Sequence, residues 1–142
     1  MFFKNNKNKL ESNFFIKICA LLVHAAKIDE EFTIKEEGII QETLLELGCP
    51  KNDLLPTLKQ AMIIEEDSNQ ILEFTREVKS LSEKDKIKIV ESLWSIIYSN
   101  KNADVYETNL MRRLGGLLYI DGKTMGDIKN RIKDNIQYDI YC

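Results

Sequence analysis

Residues 21–36 read LLVHAAKIDEEFTIKE, and residues 92–107 read SLWSIIYSNKNADVYE. Both segments have the same layout, in which an apolar helical run is followed by a short polar break and by a glutamate early in the next helix. The two segments are offset by about 71 residues in a chain of 142 residues. This pattern predicts an internal repeat of a helical unit, whose two polar turns are expected to converge on one site.

Oxygen-bearing side chains occupy equivalent positions in the two turns. The alignment places Asp29 on Asn100, Glu31 on Asn102, Thr33 on Asp104 and Glu36 on Glu107. Oxygen ligands in flexible geometry suit Ca²⁺, which takes about six to eight of them, better than Mg²⁺, which requires a stricter octahedron. Calcium is therefore the expected cation, and the predicted metal ligands are Asp29, Glu31, Glu36, Asn100, Asn102, Asp104 and Glu107. Neither turn is an EF-hand loop, because Ile34 and Val105 occupy the sixth position, where that loop has glycine.

Helix capping is the alternative explanation of the same residues. Thr33 and Glu36 are spaced as a capping box, and Asp104 and Glu107 have the same spacing. Each cap would stabilise its helix by about 1 kcal/mol without any metal. Capping and coordination are compatible, and the sequence leaves both open.

The composition is that of one helical domain. An apolar content of 44% is sufficient to fill a single core in a chain of this length. We expect a flexible basic N-terminal arm at residues 1–13 and one domain at residues 14–142. The net charge of −3 and the pI near 5.3 argue against a nucleic-acid partner. The longest apolar stretch is too short and too interrupted for a transmembrane segment.

Three cysteines without a close pair indicate reduced thiols and a cytoplasmic protein instead of a disulfide framework. We expect all three to be structural. They are Cys19, Cys49 and Cys142.

The apolar period predicts an all-α fold, a compact bundle of about seven helices built from two related repeats. The predicted helices cover residues 10–26, 34–48 and 53–66, a fourth helix after the break at 67–69, a fifth from Ser82, a sixth around residues 110–118 and a seventh after Asp121-Gly122. The first and fifth helices are expected to form the central pair. Their predicted buried faces are Phe15, Ile18, Leu22 and Ala25 in the first, and Ile87, Val90, Leu93, Trp94 and Ile97 in the fifth.

Two polar features receive structural interpretations. His24, near the end of the first helix, is expected to be a hydrogen-bonded residue at the edge of the core. Glu65, Glu66 and Asp67 at the end of the third helix are interpreted as a solvated face.

Several segments within residues 14–133 have a characteristic order and spacing. They are Ala20–Ala26 with Asp29 and Glu36, Phe74–Arg76, Trp94–Tyr98, Tyr106–Glu107, Leu110–Leu114 and Leu117–Tyr119. Together they resemble the tellurite-resistance TerB-like proteins, in particular a bacterial branch of that family. The resemblance implies a small helical bundle in which acidic residues of two turns bind a divalent metal.

Carried over by position, the resemblance assigns Asp29 and Glu36 to the first acidic turn and Glu107 to the second. The chain departs from the family pattern at Asn100, where the family usually has aspartate. It also departs at Glu30 and Lys101, where the family has glycine.

No motif for a catalytic nucleophile, a phosphate-binding loop or a zinc-binding helix is present, so we expect a protein that is not an enzyme. The first functional hypothesis is a TerB-like module that binds a cation and acts in a stress response through partner proteins. The second is a metal-independent helical adaptor for protein interaction. The third is peripheral contact with a membrane surface through Phe2 and Phe3, assisted by Lys4, Lys7 and Lys9.

Overall fold

A computed structural model describes residues 2–27, 33–67, 71–99 and 103–141, and it describes side chains at 13–27, 33–67, 71–99 and 109–135. Within these ranges the chain forms seven α-helices and no strand. They are α1 (Phe2–Ala26), α2 (Ile34–Glu46), α3 (Leu54–Asp67), α4 (Leu72–Lys79), α5 (Glu83–Tyr98), α6 (Ala103–Leu117) and α7 (Gly122–Tyr141), with a 3₁₀ turn at Lys51–Asp53 before α3. The prediction of an all-α bundle is confirmed.

Local capping interactions determine both ends of α2. The Oγ1 atom of Thr33 accepts a hydrogen bond from the Glu36 N–H at 3.1 Å, and Glu36 Oε1 accepts one from the Thr33 N–H at 2.9 Å. This reciprocal pair is the predicted capping box. At the other end, Gly48 has φ +105°, and the N–H of Cys49 reaches back to the Leu44 carbonyl at 2.9 Å. A glycine is needed there because a left-handed φ is costly for residues with a Cβ.

The start of α6 corrects the predicted symmetry of the two turns. If the repeat held in detail, Asp104 would cap α6 as Thr33 caps α2. Instead α6 begins at Ala103, two residues earlier than the alignment predicts, so Asp104 lies inside its first turn. The helix pair α5 and α6 therefore follows the order of α1 and α2, with the start of its second helix displaced by two residues. The side chains of Asp104 and Glu107 lie outside the described residues, so the predicted cap of α6 stays a prediction.

Tyr119 ends α6 in an unusual conformation. It has φ +57°, although it is not a glycine, and the Ile120 N–H donates to the Gly115 carbonyl at 3.0 Å. Its ring is exposed and lies 5.5 Å from Lys79 Nζ. The backbone at this turn is consequently strained.

The central helix of the fold is α1, which contacts α2, α3, α4 and α5. The four residues predicted as its buried face are buried, and so are Cys19, Ala20, Leu21, Val23 and Ala26. A helix surrounded by other helices is apolar on every side, so its sequence lacks the one-sided pattern of a surface helix. The predicted single face was therefore too narrow.

The second central helix is α5, which contacts α1 and α2 as well as α6 and α7. Four of its predicted core residues are buried, whereas Ile87 is only partly buried. Ile89 and Ile96 are fully buried but were not predicted. Contacts on both sides of α5 explain why its buried surface is wider than one stripe.

The helix α1 begins at Phe2, eight residues before the predicted start, so the backbone of the predicted arm is helical from residue 2 onward. The side chains of residues 1–12 lie outside the described residues, and the predicted flexibility and membrane contact of the arm stay predictions. Over the ranges described, no helix combines the length and the apolar content needed to cross a bilayer.

Candidate functional site

The predicted metal ligands lie mostly in parts of the chain that the structure does not describe. Asp29, Glu31, Asn100 and Asn102 are outside the described residues. Asp104 and Glu107 lie on the backbone of α6, but their side chains are outside the described set. Whether the two turns converge therefore stays a prediction.

Glu36 is the predicted ligand whose side chain the structure describes. It is only 3% exposed, and its Oε1 accepts hydrogen bonds from both the Thr33 N–H and the Thr33 hydroxyl, each at 2.9 Å. The positive end of the α2 dipole also favours a negative charge in this turn. The capping interpretation of Glu36 is confirmed.

A polar cluster joins the ends of α1 and α3 just before that turn. Glu65 Oε2 lies 3.0 Å from Lys27 Nζ, and Glu65 Oε1 lies 3.3 Å from His24 Nδ1. The prediction for His24 is confirmed, since it is hydrogen-bonded and partly exposed. The prediction that Glu65 belongs to a solvated face was wrong, because this residue is 9% exposed.

The sequence did contain a signal for the burial of Glu65. Leu54, Leu58 and Ala61 are buried, and Glu65 continues their spacing along α3. That spacing places all four residues on the side of α3 that packs against α1. The prediction of a solvated face instead followed the two acidic residues next to Glu65, which are Glu66 and Asp67.

The described residues contain no group of three or more His, Cys, Asp or Glu side chains placed to bind a metal ion. This statement concerns the rest of the fold, because the side chains of most predicted ligands lie outside the described residues. The cluster of His24 and Glu65 supplies two such groups, and Lys27 already neutralises the carboxylate.

The two described cysteines are buried free thiols, as expected for structural residues. Burial, together with the smaller effect of the neighbouring Cys49, raises the pKa of Cys19 to about 12. Burial also raises the pKa of Cys49. Neither thiol has the lowered pKa of a reactive cysteine, and Cys142 is outside the described residues.

Comparison with known proteins gives one finding. A family model described as "Tellurite resistance protein TerB" matches residues 15–130. Neither the curated proteins nor the solved structures give a match. The matched range runs from the first buried turn of α1 into α7 and so includes both helix pairs, α1 with α2 and α5 with α6.

Proposed function

Since this chain belongs to the tellurite-resistance TerB family over residues 15–130, we propose that it is a non-catalytic module that binds a divalent cation and acts in a stress response through partner proteins. The cation, of the calcium type, is held by the two acidic interhelical turns. The proposed ligands are Asp29, Glu31 and Glu36 in the first turn and Asn100, Asn102, Asp104 and Glu107 in the second. The first turn contributes more, because it has Asp29 at the position where the second turn has Asn100.

The position of Glu36 supports this proposal most directly. Its carboxylate is buried at the start of α2, immediately after a turn whose sequence contains Asp29 and Glu31. A carboxylate has about four lone-pair sites on its two oxygens, so helix capping and cation coordination by one carboxylate are compatible. Burial of a negative charge is costly unless it is compensated, and a cation among these oxygens adds to the compensation that Thr33 supplies.

The test is calorimetric titration of the full chain with Ca²⁺, Mg²⁺ and Mn²⁺. The diagnostic variant is Glu36→Gln, because a capping box accepts glutamine at this position while the ligand loses its charge. We expect Glu36→Gln to weaken Ca²⁺ binding by about tenfold or more, which corresponds to about 1.4 kcal/mol, with little change in the free energy of unfolding.

The matched control is Asp85→Asn in α5. Asp85 occupies the same position after its N-cap, and its N–H donates to Ser82 Oγ at 3.3 Å, but no acidic turn precedes it. This variant should bind Ca²⁺ like the wild type. If no heat is detected at millimolar cation, the chain does not bind one, and if Glu36→Gln binds with unchanged affinity, Glu36 is not a ligand.

A metal-independent adaptor is the second candidate, and one feature of α3 favours it. Leu55, Met62 and Ile63 are 66%, 38% and 49% exposed, and their spacing places them on one side of the helix. An apolar strip facing solvent is typical of a docking surface.

Substitution separates this candidate from cation binding. Leu55→Glu should abolish partner co-purification in the presence of a chelator, whereas Leu45→Glu on the exposed side of α2 should not. Both are surface changes and should leave the free energy of unfolding within about 0.5 kcal/mol of the wild type. Co-purification that survives Leu55→Glu, or that a chelator abolishes, would count against the adaptor.

A further inference from the structure

A cleft of about 390 Å³ lies between α5, α6 and α7. Its apolar lining consists of Trp94, Met111, Ile120 and Met125, all of which belong to the buried core. A concave, mainly apolar site of this volume is typical of pockets for small molecules. None of the described residues that line the cleft is a proposed metal ligand.

Glycines keep this cleft open. Gly116 near the end of α6 and Gly126 inside α7 line it, and a Cβ added to either residue would meet no atom within 4 Å. Neither residue has a positive φ. Neither the surrounding space nor the backbone conformation therefore requires glycine at position 126. Glycine nevertheless destabilises a helix interior relative to alanine. Its effect on the fold is to leave space in the cleft.

The charged side chains of the lining have one sign. Arg112 and Lys129 line the cleft, and among the described residues no aspartate or glutamate does. Lys129 Nζ lies 5.8 Å from the centre of the Trp94 ring, so the positive charge is adjacent to the apolar wall. The neighbouring Asp121 caps α7, with Oδ1 accepting the Thr124 N–H at 2.6 Å, and is not part of the lining. The cleft is therefore complementary to an anion attached to an apolar body.

Trp94 adds a separate observation. This side chain is 3% exposed, and its Nε1 is the one buried side-chain nitrogen or oxygen of the described residues that has no hydrogen-bond partner. A buried donor without an acceptor is unfavourable, so native proteins usually provide one. This unpaired donor belongs to a residue that lines the cleft.

We propose that the cleft between α5, α6 and α7 binds a small organic acid with an apolar, aromatic body and one carboxylate. The body packs against Trp94 and Met125 beside the open face of Gly126. The carboxylate lies between Arg112 and Lys129. This binding goes beyond the proposed cation site and does not depend on it.

The test uses phenylbutyrate and its neutral analogue phenylbutyramide as probes of the full chain. Trp94 is the single tryptophan of the sequence, so its fluorescence and its indole N–H resonance report on the cleft alone. We expect saturable binding of one phenylbutyrate per chain and about tenfold weaker binding of the amide. Adding EDTA should change neither affinity, so failure of the cation proposal would not affect this result.

Substitutions then locate the site. Arg112→Gln should remove most of the preference for the acid over the amide. Gly126→Leu should abolish binding of both probes by filling the cleft, and Gly126→Ala should weaken it. Gly38 is the matched control, because it is the fifth residue of α2 as Gly126 is of α7, and a Cβ there also meets nothing within 4 Å.

The alanine variants keep the test independent of folding. Gly38→Ala and Gly126→Ala should each raise the melting temperature by a few degrees, since alanine favours helix, but only Gly126→Ala should reduce probe binding. Equal affinity for acid and amide in the wild type would overturn the proposal. So would the absence of saturation at millimolar probe, or unchanged binding in both Gly126 variants.

Discussion

The polar cluster between α1 and α3 provides a test of how burial controls the strength of an ion pair. Lys27→Met and Glu65→Gln disrupt the same pair, in which Lys27 Nζ lies 3.0 Å from Glu65 Oε2. The side chain of Glu65 is 10% exposed, whereas those of Lys27 and His24 are 37% and 36% exposed. The two substitutions therefore leave different groups without a partner.

The expected costs follow from what each substitution leaves behind. After Glu65→Gln, water can reach Lys27 and His24, and we expect a loss of about 1 kcal/mol in the free energy of unfolding. After Lys27→Met, a mostly buried carboxylate keeps only His24 as a partner. We expect that loss to be about 2 to 3 kcal/mol, below the cost of breaking a fully buried pair because some solvent contact persists.

Urea denaturation of the single variants, followed by circular dichroism, measures these free energies. The matched control is Lys17→Met, also in α1. It removes an ion pair in which Lys17 Nζ lies 3.3 Å from Glu77 Oε1, and the side chains of Lys17 and Glu77 are 33% and 36% exposed. It should cost less than about 1 kcal/mol. The reasoning is refuted if either Glu65→Gln or Lys17→Met lowers the free energy of unfolding as much as Lys27→Met does.

Three further predictions concern the core and one strained turn. Thr43 and Ser92 share a hydrogen bond of 2.5 Å between α2 and α5. A double-mutant cycle of Thr43→Val and Ser92→Ala, measured by urea denaturation, should therefore give a coupling free energy of about 1 kcal/mol. Additive effects of the two substitutions would contradict this prediction. The raised pKa of Cys19 keeps its thiol protonated in the fold while the unfolded thiol ionises above pH 9, its usual value being 9.0. Wild-type stability should therefore fall relative to Cys19→Ala as the pH rises toward 12, by up to about 1.4 kcal/mol per unit, and parallel urea-derived profiles would refute this. Tyr119→Gly should raise the free energy of unfolding by up to about 1 kcal/mol by relieving the left-handed backbone, and destabilisation would show that the ring contact with Lys79 dominates.

Features specified by neighbours in the chain were predictable. Both ends of α2 follow from residues within a few positions of each other, namely the Thr33 and Glu36 capping box and the glycine at position 48. The family assignment belongs with these features, because it depends on the order of short segments. For the candidate metal site, the sequence predicted the capping role of Glu36, whereas most of the other ligands lie outside the described residues.

Features specified by packing were not predictable to the same degree. The apolar segment at residues 18–23 of α1 is compatible with burial on one side or on all sides. Only the contacts of α1 with four other helices show that this segment is buried on all sides. Glu65 reads as one of three solvated acids until α1 places Lys27 and His24 against it. The cleft around Gly126 likewise combines residues from three helices that are distant in sequence.

The sequence by itself determined the helical class, the order of the helices, the caps of α2 and the membership of a family, because each depends on local periodicity or on linear order. Only the tertiary structure decided which polar groups are buried and where space remains between helices. Those properties depend on the distances between side chains far apart in the chain, and a linear pattern contains no such distances.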